Sequence, residues 1–234
     1  SIDADGNVTI AASSNIDVAA TSQPVVAGVN VIDVATTTQV DIQDASEVDS
    51  DTGAIAISAT DMSSVEIETT DIAFVEAMVD AAGGSGTLEF GFATINTTME
   101  RTTGIDVSGA GQSLTADGAV TLTAGNSGGI SGIVTSDYVG LVTNSVTDNV
   151  TINIANSTIS GDSVAVSASS DAVYIASGKY VSNSIGGDVT VTMDASNLTA
   201  DDGAVSVTAS DDIEVHANAT SASLDLGLLG ASIT

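Results

Sequence analysis

Residues 149–171 read NVTINIANSTISGDSVAVSASSD, and residues 188–212 repeat the plan as DVTVTMDASNLTADDGAVSVTASDD. Each holds a short alternating run, an acidic turn and a second alternating run. In that second run Val205 and Val207 share one side while Ser206 and Thr208 share the other. This is the period of two that an extended chain imposes. β-Branched residues crowd the runs, and no helical period of 3.6 survives across them. Asp, Gly and Asn interrupt them where the chain must turn sharply, because these residues suit turn backbone. The element is therefore a short strand.

Working outward from that pair, the plan occurs five times. The copies are SIDADGNVTIAA (1–12), SEVDSDTGAIAISA (46–59), QSLTADGAVTLTA (112–124), STISGDSVAVSA (157–168) and SNLTADDGAVSVTA (196–209). Their starts lie 45, 66, 45 and 39 residues apart. A recurring unit of this kind marks a solenoid, since each unit leaves an apolar face that only its neighbour covers. Many connections are shorter than the roughly dozen residues a helical crossover needs. The pattern predicts an all-β fold, a parallel β-helix (β-solenoid) forming one array over 1–234. Coils of about 20 residues, two to each unit, would give about 11 coils and a rod about 50 Å long. A β-sandwich suits short strands too, but it has no need of a unit repeated along the chain.

The stretch 70–104 departs from the plan and contains all three Phe residues and the only Arg. Ile72, Val75, Met78, Val79 and Ala82 fit a helical face, with Thr70 as cap and Gly83–Gly84 as stop. Ile72, Phe74 and Met78 fit a strand equally well. This segment is expected to be an irregular coil or a side insertion within the array.

Charge narrows the function classes. The chain carries 31 acidic residues against two basic ones, Arg101 and Lys179, for a net charge of −29. Such a field repels phosphate backbones and anionic headgroups, so neither nucleic acid nor an acidic membrane surface is an expected partner. Membrane insertion is not expected either, because the most apolar run, 224–233, is interrupted by Asp225. Disorder does not fit, given 43% apolar residues so regularly placed. With no Cys there is neither a disulfide frame nor a thiolate metal site. The chain opens at Ser1 within a strand-like pattern, which leads us to expect a segment of something longer.

The units at 149–171 and 188–212 resemble the repeats of very large bacterial surface proteins of the filamentous haemagglutinin-like and autotransporter-like adhesin type. The closing SASLDLGLLGASIT is similar to the Gly-rich joins of such repeats. The resemblance covers most of the chain, most weakly 60–104. It implies a right-handed winding of the β-helix, export to the cell surface or beyond, and a role in adhesion or as a stalk.

Candidate chemistry is sparse. Asp3, Asp5, Asp49, Asp51, Asp201 and Asp202 occupy equivalent turns in three units. Oxygen clusters of this kind are candidate ligands for Ca²⁺, a hard cation taking six to eight oxygens. Turn chemistry alone also accounts for Asp-Gly pairs, and no cofactor is required. The single His, His216, lies in IEVHA, where alternation turns it opposite to Val215. It has no GxSxG partner motif, so no catalytic residues are assigned. Six Asn-x-Ser/Thr sequons begin at Asn7, Asn96, Asn149, Asn156, Asn197 and Asn218, a number an Asn-, Ser- and Thr-rich chain reaches by chance. Outward Thr pairs (Thr121 with Thr123, Thr190 with Thr192) resemble the flat faces of ice-binding solenoids but are too few and irregular.

The expected function is a non-catalytic, extracellular or cell-surface structural or adhesive module. Its expected partners are further repeats or copies of itself, end to end or laterally, and surface glycans or a partner cell. A β-helical carbohydrate-binding or polysaccharide-processing domain is the alternative.

Overall fold

The computed structural model describes residues 1–23, 27–70, 92–136 and 139–233, and every regular element among them is a β-strand. Thirteen strands join one sheet whose ladders are all parallel. The sheet winds back on itself into a solenoid-like shape with three sides. The short side stacks β1 (Ile2–Ala4), β5 (Glu47–Ser50), the end of β8 (Phe92–Ala116), the end of β10 (Val139–Gly161) and β12 (Asn197–Ala200). The first long side stacks β2 (Val8–Ser14) with β3 (Asp17–Ser22), then β6 (Ile55–Asp61) with β7 (Ser64–Thr70), then β9 (Val120–Thr135). The first halves of β11 (Val164–Asp194) and β13 (Val205–Ile233) complete it. The second long side stacks β4 (Ala27–Gln43), β8, β10 and the second halves of β11 and β13.

Register decides how much chain each layer uses. Val8 lies beside Ile55, Ile55 beside Val120, Val120 beside Val164, and Val164 beside Val205, intervals of 47, 65, 44 and 41 residues. One layer therefore consumes one whole sequence unit. Among the described residues the register gives five layers, in place of the expected coils of about 20 residues and the stack of about 11 that follows from them. The reason is geometric. Runs between the repeated units, such as 15–18 and 40–42, continue the sides of the same layer and do not start another. The longest interval contains residues 71–91, so most of the expected insertion at 70–104 lies outside the described residues. Its remainder, 92–104, belongs to β8 in continuous register with β4 and β10.

Alternation fills the lumen. Ile55, Val120 and Val164 are fully buried, and the next inward file is Ile57, Leu122 and Val166. Removing each such side chain from water contributes roughly 1.5–3 kcal/mol. Outward positions are mixed: Thr121 and Thr123 lie beside Ala56 and Ser58 in one layer and Ala165 and Ser167 in the other. The Thr pair thus has no counterpart in adjacent layers and builds no flat Thr face.

Two corners are built differently. The acidic turns stack, with Asp51 N donating to Ala4 O, Asp117 N to Ser50 O, Asp162 N to Gly118 O and Asp201 N to Gly161 O. The opposite corner uses left-handed backbone at Asp44 and Ala45 (φ 62° and 56°), Asn156 (52°) and Ala195 (48°), with Gly109 and Gly111 at the same place in the second layer. That corner reads Asp-Ala-Ser at 44–46 and again at 194–196, and the other layers reach it with different residues.

Candidate functional site

The lumen is not apolar throughout. Two buried hydrophobic clusters fill its two ends, one around Ile57, Leu122 and Ile152, the other around Ile67, Met99 and Ile185. Between them the inward positions turn polar in every layer. On the first long side Ser14, Asp61, Asn126, Ser170 and Asp211 form one register file. On the second, Thr36, Arg101 and Asp148 form another.

Arg101 anchors this seam. Its Nε donates to Asp148 Oδ1 at 2.6 Å and its Nη2 to Asp148 Oδ2 at 2.5 Å. Nη1 crosses the lumen to Ser127 O at 2.5 Å and Ser63 O at 3.4 Å, while Nη2 also reaches Tyr174 Oη at 3.3 Å. Tyr174 donates its hydroxyl proton to Asp148 Oδ2 at 2.5 Å. These contacts use all five N–H donors of the guanidinium. Side chains of Arg101, Asp148 and Tyr174 are almost wholly removed from solvent.

The electrostatics follow from burial and from Asp148. Burial opposes the charge on Arg101, but the hydrogen bond and charge of Asp148 outweigh it, so its proton is held more tightly than usual. Burial first, and the adjacent Asp148 carboxylate second, push the Tyr174 phenol well above its ordinary value. Asp211 is also raised, by burial and then by Asp148, Asp212 and Asp188. At neutral pH the seam thus holds a neutral phenol against a closed ion pair. Such a set braces the two long sides across the lumen.

Close backbone packing brings the carbonyls into place. The first long side is interrupted at 62–63, and a Cβ on Gly128 would fall 2.5 Å from Ser63 O. On Gly187 it would fall 1.9 Å from Asp148 O. Neither position admits a side chain.

The sequence-predicted metal residues lie elsewhere. Asp3 and Asp49 are register partners on the short side, and Asp5 and Asp51 follow them into the acidic corner. Asp201 and Asp202 sit in the fifth layer, three layer steps from Asp51, roughly 14 Å at the usual strand spacing. The six do not converge. Among the described residues no group of three or more His, Cys, Asp or Glu side chains is placed to hold a metal ion. His216 points outward, as alternation predicts, with Nε2 2.7 Å from Glu214 Oε1 and both side chains more than half exposed.

The seam is what composition and motif reading passed over. Its signal is the alternation that runs back from Ile105 through Thr103, Arg101, Met99 and Thr97, all inward. A lone Arg in such a series is a buried Arg, and it requires a buried acid.

An open groove of about 620 Å³ lies outside the first long side, at the same level as the seam. Asp17, Glu66 and Asp171 line it together with Gly129, Val173 and Ile175.

Comparison with protein-family models, with curated protein sequences and with solved structures returns no match. The fold and the seam define the class: an all-β, parallel, solenoid-like sheet braced internally by a buried ion pair.

Proposed function

We propose that this chain is a non-catalytic structural or adhesive module of a large cell-surface or extracellular protein, a length of stalk or filament that stacks with further layers. The winding proposed is right-handed, as in the adhesin repeats that the sequence resembles. The observation that carries this reading is the unequal burial of one file. Ile55, Val120 and Val164 are fully buried, whereas their counterpart Val205 in the fifth layer is 45% exposed. Another layer in register would bury Val205 and satisfy the strand edge beside it. The layer could come from the same polypeptide or from a second copy.

Composition supports the location. An acidic coat with an aliphatic lumen stays soluble in a cation-rich exterior and repels anionic polymers. Ca²⁺ held by the acidic corner, through Asp5, Asp51 and their neighbours, belongs to the same proposal as a surface effect. Sedimentation velocity over a hundredfold concentration range tests the stacking. Concentration-dependent association that Val205→Asp abolishes is the expected result. A strictly monomeric particle at every concentration would overturn self-stacking.

The groove at Asp17, Glu66 and Asp171 favours carbohydrate binding as the second reading, since carboxylates accept hydrogen bonds from sugar hydroxyls. Glycan-array binding lost in Glu66→Gln or Asp171→Asn would establish it; turnover of a bound glycan would replace the structural reading altogether.

A further inference from the structure

Once Arg101 has spent its five donors, the seam still contains charge and polarity without partners. Asp61 is fully buried; its Oδ1 accepts a hydrogen bond from Ser63 N at 2.8 Å, but Oδ2 has no hydrogen-bond partner. Directly above it in register, Asn126 is 2% exposed and neither its Oδ1 nor its Nδ2 is partnered. Ser170, next in the file, has an unpartnered Oγ as well. Leaving a buried carboxylate oxygen bare costs far more than leaving a hydroxyl bare. Hydroxyls of the buried Thr36, Thr38 and Thr103 on the facing side are unpartnered too.

We propose that Asp61 and Asn126 form a buried site for one small monovalent hard cation of the sodium class, seated between the second and third layers. Three observations on these residues point that way. The donor set is all oxygen, which suits a hard cation and excludes a soft one. The oxygens stand on register-paired residues of adjacent strands, about 4.8 Å apart, a spacing that lets one ion be shared by side chains of both layers. The charges of Arg101, Asp148 and Asp61 sum to minus one: Arg101 closes a contact ion pair with Asp148 and attracts Asp61 without a direct hydrogen bond, so the fully buried Asp61 carboxylate beside Asn126 and Ser170 has no cation in contact with it. In the proposed site Asn126 presents Oδ1, and not Nδ2, to the ion. The site differs from the surface calcium cluster expected at the acidic turns, and it does not depend on the stalk reading.

Thermal unfolding of the intact chain in sodium chloride and in choline chloride at equal ionic strength tests it. Both salts screen the surface charge alike, but choline is too large to enter the file. Sodium is expected to raise the midpoint by at least about 3 °C over choline, and Asp61→Asn, which keeps the acceptor for Ser63 N, is expected to erase the difference. Equal midpoints for the wild type, or a sodium effect that survives in Asp61→Asn, would overturn the proposal. Should Asp61→Asn fail to fold, an atomic-resolution crystal structure of the wild type grown in sodium chloride decides. A density peak between Asp61 and Asn126 with oxygens at about 2.4 Å supports the site; ordered water at ordinary hydrogen-bond distances, or a response to calcium but not to sodium, overturns it.

Discussion

Arg101 and Asp148 are register partners on adjacent layers of the second long side, and their side chains meet at 2.5 Å with essentially no exposure to solvent. A pair so placed is costly to break singly because the survivor is left buried and charged. Arg101→Met is expected to lower stability by about 3–5 kcal/mol, whereas Arg101→Met combined with Asp148→Leu should cost markedly less than the two single changes summed. Urea unfolding of the four species measures the coupling. Additive losses would mean that the pair contributes no mutual stabilisation.

Tyr174 gives the seam an alkaline signature. Its phenol is raised above the ordinary 10.0 by burial and by Asp148. The folded state therefore keeps a proton that the unfolded chain releases, so this stabilisation is complete below pH 10 and is lost as pH rises from there through the folded value. Tyr174→Phe should remove that slope and, at neutral pH, cost about 1.5–3 kcal/mol for the lost hydrogen bond to a charged group. Denaturant midpoints from pH 8 to pH 11 in wild type and variant check both parts.

Asp211 predicts the opposite kind of substitution. Its carboxyl is raised above the ordinary 3.8 by burial and by Asp148, Asp212 and Asp188. Its charge opposes folding at neutral pH, and the strain is relieved as pH falls through the folded value toward 3.8. Asp211→Asn is expected to melt higher than wild type at pH 7, with the gap closing by pH 4. A gap that widens on acidification would contradict the assignment.

Gly187 and Gly6 form a matched pair of tests. A Cβ at Gly187 meets Asp148 O at 1.9 Å on a backbone of φ 146°, while at Gly6 it meets nothing within 4 Å. Gly187→Ala is expected to cost at least about 3 kcal/mol by forcing Asp148 away from Arg101. Gly6→Ala should stay within about 0.5 kcal/mol. Chemical denaturation of the two variants compares them directly.

Position within the stack predicts a gradient. Val164→Ala, at a fully buried site, should cost about 2–3 kcal/mol, and Val205→Ala, at a site 45% exposed, well under half of that in the isolated chain. The two costs should converge when the chain is associated, if added layers cover Val205. Unfolding at low and high protein concentration distinguishes the cases.

Strand type and parallel stacking were legible locally. Val8, Ile10, Val164, Val166, Val205 and Val207 alternate with polar neighbours, and an extended chain has only that period to offer. The acidic corner was equally plain, because turn backbone restricts the residues that adopt it. The other corner was not: Ala45 and Ala195 take left-handed backbone that nothing in their side chains announces, and only the sheet on either side imposes it.

What the sequence determined by itself, then, was the inward and outward parity of each residue and the repetition of a unit. It did not determine the length of a layer, because a run such as 40–42 reads the same whether it begins a new coil or completes a side. Nor did it determine the site. Parity places Arg101, Asp148, Tyr174 and Asp61 inward one by one, but they lie in three different layers and on two facing sides. Only closure of the sheet brings them together, and only exclusion of water then makes their charges matter, since a buried ion must find its partner within the lumen.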